Sequence, residues 1–248
     1  MPRDHHLGLA TERVHSLNLR HQHDTAAAVL HHSLHDKTLG ALALVSSFGA
    51  ESVVLLHMLS QIAPQTPVLF IDTGLLFPET LDYQRRVSDQ LQLRDVRILR
   101  AAPQRLAAED PDDSLHHRDG DACCALRKVE PLEQALSGFD GWITGRKRYQ
   151  ASTRETVEFF EAEGESRIKV NPLARWSRDD IEAYMTAHHL PRHPLVAKGF
   201  PSIGCMPCTS PVNPDEDPRA GRWRNTEKTE CGIHFINGAA RSTKARPT

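Results

Sequence analysis

The sequence predicts an α/β fold, with a mostly parallel sheet carrying helices on both faces. Two observations predict it. Short apolar runs suited to buried strands recur as ALALVS (41–46), PVLFID (67–72) and VRILRA (96–101). Segments of helical period separate them, AESVVLLHMLSQIA (50–63) and PETLDYQRRVSDQLQL (78–93). Strand–helix–strand order favours right-handed crossovers between parallel strands.

The elements follow in order. The first ~20 residues are polar and His-rich and read as a loose arm. Asp24 is the expected cap of a helix over 24–37, with Ala28, Leu30 and Leu34 toward the core. Pro78 suits the first turn of the helix that it opens. Another helix begins near Cys123, and GWITG (141–145) is a further strand. SRDDIEAYMTAHHL (177–190) is a late helix with Ser177 as its cap and Asp180 at the capping-box position. From Pro211 onward the chain is polar and rich in Pro, Gly and Arg, an extended segment with little core of its own. It nevertheless carries Cys231 and two arginines flanking Trp223.

A chain of 248 residues is long enough for one large domain, and its 39% hydrophobic content is that of a protein with a core. A formal net charge of −2 gives no global reason to expect nucleic acid or an anionic membrane, so an anionic ligand must be met by local clusters of Lys and Arg. No apolar run approaches the ~20 residues of a membrane span, and no apolar signal-peptide core opens the chain. The expected compartment is the cytoplasm, where thiols stay reduced. Five cysteines, an odd number, argue against a disulfide framework.

The first strand runs into SSFGAES (46–52), where Ser46, Ser47, Gly49 and Ser52 offer hydroxyls and backbone N–H groups at a helix N-terminus. Such a loop suits an anion. It is not a Walker A loop, since the closing Gly-Lys-Ser/Thr is missing; the alternative is a plain strand–helix turn. Ligands of open α/β sheets sit beyond the carboxyl ends of the strands. Asp72, Thr73 and Gly74 end the second strand there. Thr144 and Gly145 end a later one and lead into Arg146, Lys147, Arg148 and Arg154. Hydroxyls, glycines and cations at three strand ends point to a nucleotide carrying phosphate or sulfate, against the alternative of a plain basic loop.

Four cysteines form two pairs, Cys123–Cys124 and Cys205-x-x-Cys208. The second fits a redox pair, half a zinc site or half an iron–sulfur site. Pro207 and the following TSPVNP suggest a loop, which favours metal. Zinc ligands are usually spaced by two to four residues, and adjacent cysteines point apart in an extended chain. Neighbouring thiolates can reach different irons of a larger cluster, which favours 4Fe–4S over zinc. Buried filler is the bland alternative. Cys231 lies near Lys228 and His234 and downstream of Arg219 and Arg222, and nearby cations can lower a thiol's pKa and make it a nucleophile; an incidental exposed Cys is the alternative.

Taken in order, SSFGAES, FIDTGLLFPET, CCALRKVEPL, TGRKRYQASTR, KVNPLARWS, GCMPC and ECGIH resemble the assimilatory sulfonucleotide reductases over roughly residues 40–235. They are most similar to the iron–sulfur branch, the adenylyl-sulfate reductases. The resemblance implies the adenine-nucleotide alpha-hydrolase-like fold, with SSFGAES as its pyrophosphate loop. Residues 1–210 would form the nucleotide-binding domain with the cluster site. Residues 211–248 would be a mobile flap bearing the nucleophile, not an independent domain.

The resemblance also implies the reaction: reduction of adenylyl sulfate to sulfite and AMP in sulfate assimilation and cysteine biosynthesis. Cys231 forms an enzyme S-sulfocysteine, which thioredoxin, or a glutaredoxin-like thiol donor, then reduces. Cys231, Lys128 and His234 would be catalytic. Ser46, Ser47, Gly49, Asp72, Thr73, Gly74, Gly145, Arg154, Arg219 and Arg222 would bind substrate. Cys123, Cys124, Cys205 and Cys208 would hold one 4Fe–4S cluster. No nucleic acid or membrane partner is expected, and a homo-oligomer is allowed. The SSFGAES loop is close to the phosphoadenylyl-sulfate version, which makes that nucleotide the alternative substrate. Rival readings are an ATP-using relative, such as a sulfate adenylyltransferase small subunit or a tRNA-thiolation protein, which would lack ECGIH, and a metal-binding regulatory module without turnover.

Overall fold

The structure, a computed structural model, describes residues 3–164 and 167–224. Cys231 and His234 lie outside the described residues. Among these, strands β1 (Leu42–Ser46), β2 (Val68–Ile71), β3 (Val96–Leu99), β4 (Gly141–Ile143), β5 (Phe160–Glu163) and β6 (Arg167–Val170) form one sheet in the order β3-β2-β1-β4-β6-β5. All neighbours run parallel except β5, which pairs antiparallel with β6. The order reverses at β1, whose partners are β2 on one side and β4 on the other, and a crevice opens at such a switch point.

Strand alternation sends side chains to two cores. Leu42 and Leu44 of β1 enter the larger one with residues of α2 (Ala26–His35), α3 (Ser52–Ile62), α4 (Pro78–Gln90) and α9 (Arg178–Ala187). Ala43, on the opposite face, joins Leu69, Trp142 and the α8 (Glu130–Leu136) residues Leu132 and Leu136. Helices therefore cover both faces, as the sequence predicts. Burying Leu44, Leu56 and Leu59 stabilises by roughly 1.5–3 kcal/mol each. Pro78 occupies the first turn of α4, and Ser177 and Asp180 form the reciprocal capping box of α9.

Three expectations need correction. The N-terminal arm is not loose: Arg3–Arg20 is helix α1. Leu17 is buried, and Asn18 brackets the edge strand β5 by donating from Nδ2 to the Phe160 carbonyl (2.9 Å) and accepting from its N–H (3.0 Å). A side chain that satisfies an edge strand in this way fixes the helix against the sheet. The cap of α2 is Thr25, whose hydroxyl accepts from Ala28 N–H, because Asp24 turns instead to His21 Nδ1 at 2.8 Å. The β5–β6 hairpin escaped the sequence reading because FEAE and RIKV are half charged and carry no apolar run.

Candidate functional site

A cavity of about 370 Å³ opens at the carboxyl ends of β1, β2 and β4. Ser46, Ser47, Gly49 and Ser52 line it where β1 becomes α3. The loop is tied within itself: Ser46 Oγ accepts from Phe48 N–H (3.2 Å) and Ser52 Oγ from Gly49 N–H (3.0 Å). Phe48 takes a left-handed φ of 47°, which costs about 1–2 kcal/mol for an L-residue. Its ring is fully buried and meets Phe70 edge-on at 5.3 Å, and that packing holds the turn.

Thr73, Gly145, Lys128, Arg154, Arg219 and Arg222 reach the same cavity. Asp72 and Gly74 do not line it but shape its rim. Asp72 Oδ1 accepts from Gly74 N–H (3.0 Å), its other oxygen pairs with Arg100 (2.8 Å), and Gly74 turns with a φ of 73° that suits glycine. Arg146 and Lys147 line the cavity too, whereas Arg148 is drawn to the Val157 carbonyl and to Glu158.

Lys128 owes its place to a π turn, Ala125–Val129, between α7 (Gly120–Cys124) and α8. The wider turn buries two consecutive cations, Arg127 and Lys128. Arg127, which the sequence reading passed over, donates to Asp110 Oδ2 from Nε (3.0 Å) and Nη2 (2.6 Å), and to the Thr73 carbonyl from Nη1 (2.8 Å). It fastens the cysteine-bearing helix to the end of β2.

Cys123 and Cys124 end α7, which Asp119 caps by accepting from Asp121 and Ala122 N–H. Cys205 joins the β2 end through a bridge to Leu76 and a contact with the Thr73 hydroxyl at 3.2 Å. Cys123, Cys124 and Cys205 are buried and Cys208 is partly exposed. Burial pushes the Cys123 thiol up to about 11, and Cys205 and Cys208 add to the rise against the pull of Arg127. Cys123 is thus close enough to the second pair, about 80 residues away in sequence, for the charges to act on one another. Among the described residues no three His, Cys, Asp or Glu side chains are grouped as a metal-ion site. No described helix is long and apolar enough to cross a membrane.

The described part of the C-terminal segment packs back onto the cysteine loop. Trp223 N–H donates to the Cys208 carbonyl (3.0 Å), and Arg222 bridges Thr209. The Arg222 guanidinium stacks on the Trp223 ring at 4.4 Å and against Gly204, where a Cβ would lie 2.3 Å from Nη2. Only glycine leaves that seat open.

Sequence reasoning also missed Glu51, Tyr149 and Gln150, which line the cavity as one network. Glu51 pairs with the buried Lys147 (2.9 Å) and accepts from Tyr149 OH (2.7 Å) and Gln150 Nε2 (3.0 Å). Burial pushes the Glu51 carboxyl up, but Lys147 and these hydrogen bonds outweigh it and hold it below the usual range. The signal was present in the acidic residue that opens α3 and the amide two residues after Arg148; their pairing across 99 residues was not.

The phosphoadenosine phosphosulfate reductase domain family matches residues 41–211. The adenosine 5'-phosphosulfate reductase of Chelativorans sp. (strain BNC1) is 47% identical over 220 residues, 88% of this chain and 89% of that protein. The protein of the same name from Mesorhizobium japonicum is 51% identical over 194 residues, 78% of this chain and 76% of that one. Among solved structures, the phosphoadenylyl-sulfate (PAPS) reductase from Candida auris in its phosphate complex superimposes with a TM-score of 0.68 at 29% identity, over 81% of this chain and 97% of that one. The sheet and this likeness give the adenine-nucleotide alpha-hydrolase-like fold that the motifs imply.

Proposed function

Because the chain belongs to the phosphoadenosine phosphosulfate reductase domain family, we propose that it is a thioredoxin-dependent adenylyl-sulfate reductase that forms sulfite and AMP through an S-sulfocysteine on Cys231. One observation carries the reading: Lys128, Arg154, Arg219 and Arg222 converge on the cavity that the serine loop lines.

The loop and the N-terminus of α3 would hold the phosphosulfate, with the four cations around it. The Cys231 thiolate attacks the sulfur. An S–S bond forms, the S–O bond to phosphate breaks, and its electron pair leaves on AMP. Cations beside that oxygen stabilise the departing charge, and a thiolate is a suitable soft nucleophile for sulfur. His234 belongs to the same segment, whose described part already brings Arg219, Arg222 and Trp223 to the rim. Residues 211–248 act as a flap that closes Cys231 over the substrate and then opens. A donor dithiol attacks the Cys231 sulfur of the S-sulfocysteine. Sulfite leaves, and the second donor thiol resolves the mixed disulfide, so the donor supplies both electrons.

Cys123, Cys124, Cys205 and Cys208 suit a 4Fe–4S cluster: the donor set is all thiol, three of the four are buried, and Cys123 is near enough to both members of the second pair to feel their charge. Adjacent cysteines can reach different irons of a cubane, whose irons each take a separate ligand, more easily than they can meet one ion. The cluster would supply structural and electrostatic support beside Lys128.

Turnover of adenylyl sulfate and of phosphoadenylyl sulfate with reduced thioredoxin tests the reading. Equal yields of sulfite and AMP, with Cys231→Ser inactive but still binding AMP, are expected. Preference for the 3'-phosphorylated nucleotide would make the chain a phosphoadenylyl-sulfate reductase, and full activity in Cys231→Ser would overturn the mechanism.

A further inference from the structure

Arg154 sits on a short 3-10 turn, Ser152–Arg154, yet its side chain is buried at the cavity wall. Arginine carries about 2 kcal/mol of rotamer entropy, so something must hold it there. Its Nη1 donates to Gln150 Oε1 at 2.5 Å. The same oxygen accepts from Lys147 N–H at 3.2 Å. The other end of the amide donates to Glu51 Oε2 at 3.0 Å. Glu51 is in turn fixed by Lys147 Nζ and Tyr149 OH.

We infer that Gln150, oriented by Glu51, is the positioning residue that aims Arg154 at the bound anion. This rests on the cavity being a sulfonucleotide site. The amide has one satisfactory orientation. Flipped, its NH2 would face the guanidinium and its oxygen the carboxylate, two repulsive contacts in place of two hydrogen bonds. Its neutrality matters as much as its geometry. A carboxylate at this position would hold Arg154 equally well but set a further negative charge against the one that the anion needs, whereas an amide orients the guanidinium and adds no charge of its own. Glu51, at the N-cap of α3, also couples this arginine to the serine loop that lines the same cavity.

A double-mutant cycle on the full-length protein tests the inference, with AMP binding by calorimetry and sulfite release from adenylyl sulfate as readouts. Gln150→Leu should weaken AMP binding and raise KM about tenfold, with kcat changed less than about twofold, as loss of one charge-assisted hydrogen bond predicts. In an Arg154→Ala background the same substitution should add nothing. Its thermal midpoint should stay within about 2 °C of the parent. Gln150→Glu should also raise KM, through charge cancellation. Equal losses from Gln150→Leu in both backgrounds, or a fall in kcat and thermal midpoint with KM unchanged, overturn the inference alone. A wild-type protein that bound AMP and turned over neither sulfonucleotide would overturn the functional reading while the binding cycle still judged the relay. A wild-type protein that bound no AMP would overturn both.

Discussion

The hydroxyl of Thr73 lies 3.2 Å from the sulfur of Cys205. It links the end of β2, at the cavity wall, to the second cysteine pair. Hydrogen bonds from such outer partners commonly change metal retention by 10–100-fold. If the four thiols hold a cluster, Thr73→Val should bind iron when reconstituted but lose it on the order of tenfold faster to a chelator, followed by the decay of visible absorption under anaerobic conditions. Unchanged loss would show that the contact does not support the thiolate.

Gly204 keeps the seat of Arg222 open, since a Cβ there would lie 2.3–2.7 Å from three guanidinium atoms. Gly204→Ala should displace Arg222 and raise the KM for sulfonucleotide about tenfold, as loss of one charged contact predicts. Iron content should be unchanged. Arg222→Ala alone and combined with Gly204→Ala should then have the same KM.

Arg127 and Asp110 form a buried ion pair whose side chains are 3% and 0% exposed. Arg127→Met leaves the Asp110 carboxylate without its buried partner, which costs about 3–5 kcal/mol. The urea midpoint, measured anaerobically, should fall accordingly. Replacing both residues by apolar ones of similar volume should recover part of the loss, because no buried charge is then left unpaired.

His193 is buried, with Nδ1 accepting from Leu195 N–H and Nε2 beside the Thr80 hydroxyl. Burial pulls its pKa down to about 4 from an ordinary 6.5. The unfolded chain therefore takes up a proton first. The stability due to neutral His193 is present above about pH 6.5 and is lost as pH falls toward about 4. The slope it adds reaches about 1.4 kcal/mol per pH unit. Denaturant titrations from pH 7 to 4.5 should show that His193→Gln flattens the acid limb.

If residues 211–248 act as a flap, AMP should slow proteolytic cleavage between 211 and 230. Equal cleavage with and without AMP would remove that role, whatever the fate of Cys231.

The β1–α3–β2–α4–β3 half of the fold was legible in the sequence because each element carries a local signal of residue type and spacing. Leu42 to Val45 are apolar at every position of a strand covered on both faces, Pro78 marks a helix start by its fixed φ and missing N–H, and Ser177 and Asp180 mark another by bonding each other three residues apart. The Ser46–Ser52 loop and the two cysteine pairs were legible for the same reason, since residue type and spacing carry the chemistry. Helix α1 was not, because its polar sequence is held by Leu17 and by Asn18 gripping Phe160 from 142 residues away.

The candidate site divides along the same line. Sequence by itself determined which groups line the cavity: Ser46, Ser47 and Gly49 of the loop, Thr73 and Gly145 at strand ends, Lys128, Arg154, Arg219 and Arg222. Tertiary structure alone decided how they are aimed. The π turn buries Lys128 beside Arg127, Arg127 reaches Asp110 and Thr73, and Glu51 sets Gln150 against Arg154. Those partners come from separate elements, and only the packing of the chain brings a carboxylate, an amide and a guanidinium within hydrogen-bonding distance. Chemistry is written in residue type, whereas orientation is a property of contacts that no local spacing encodes.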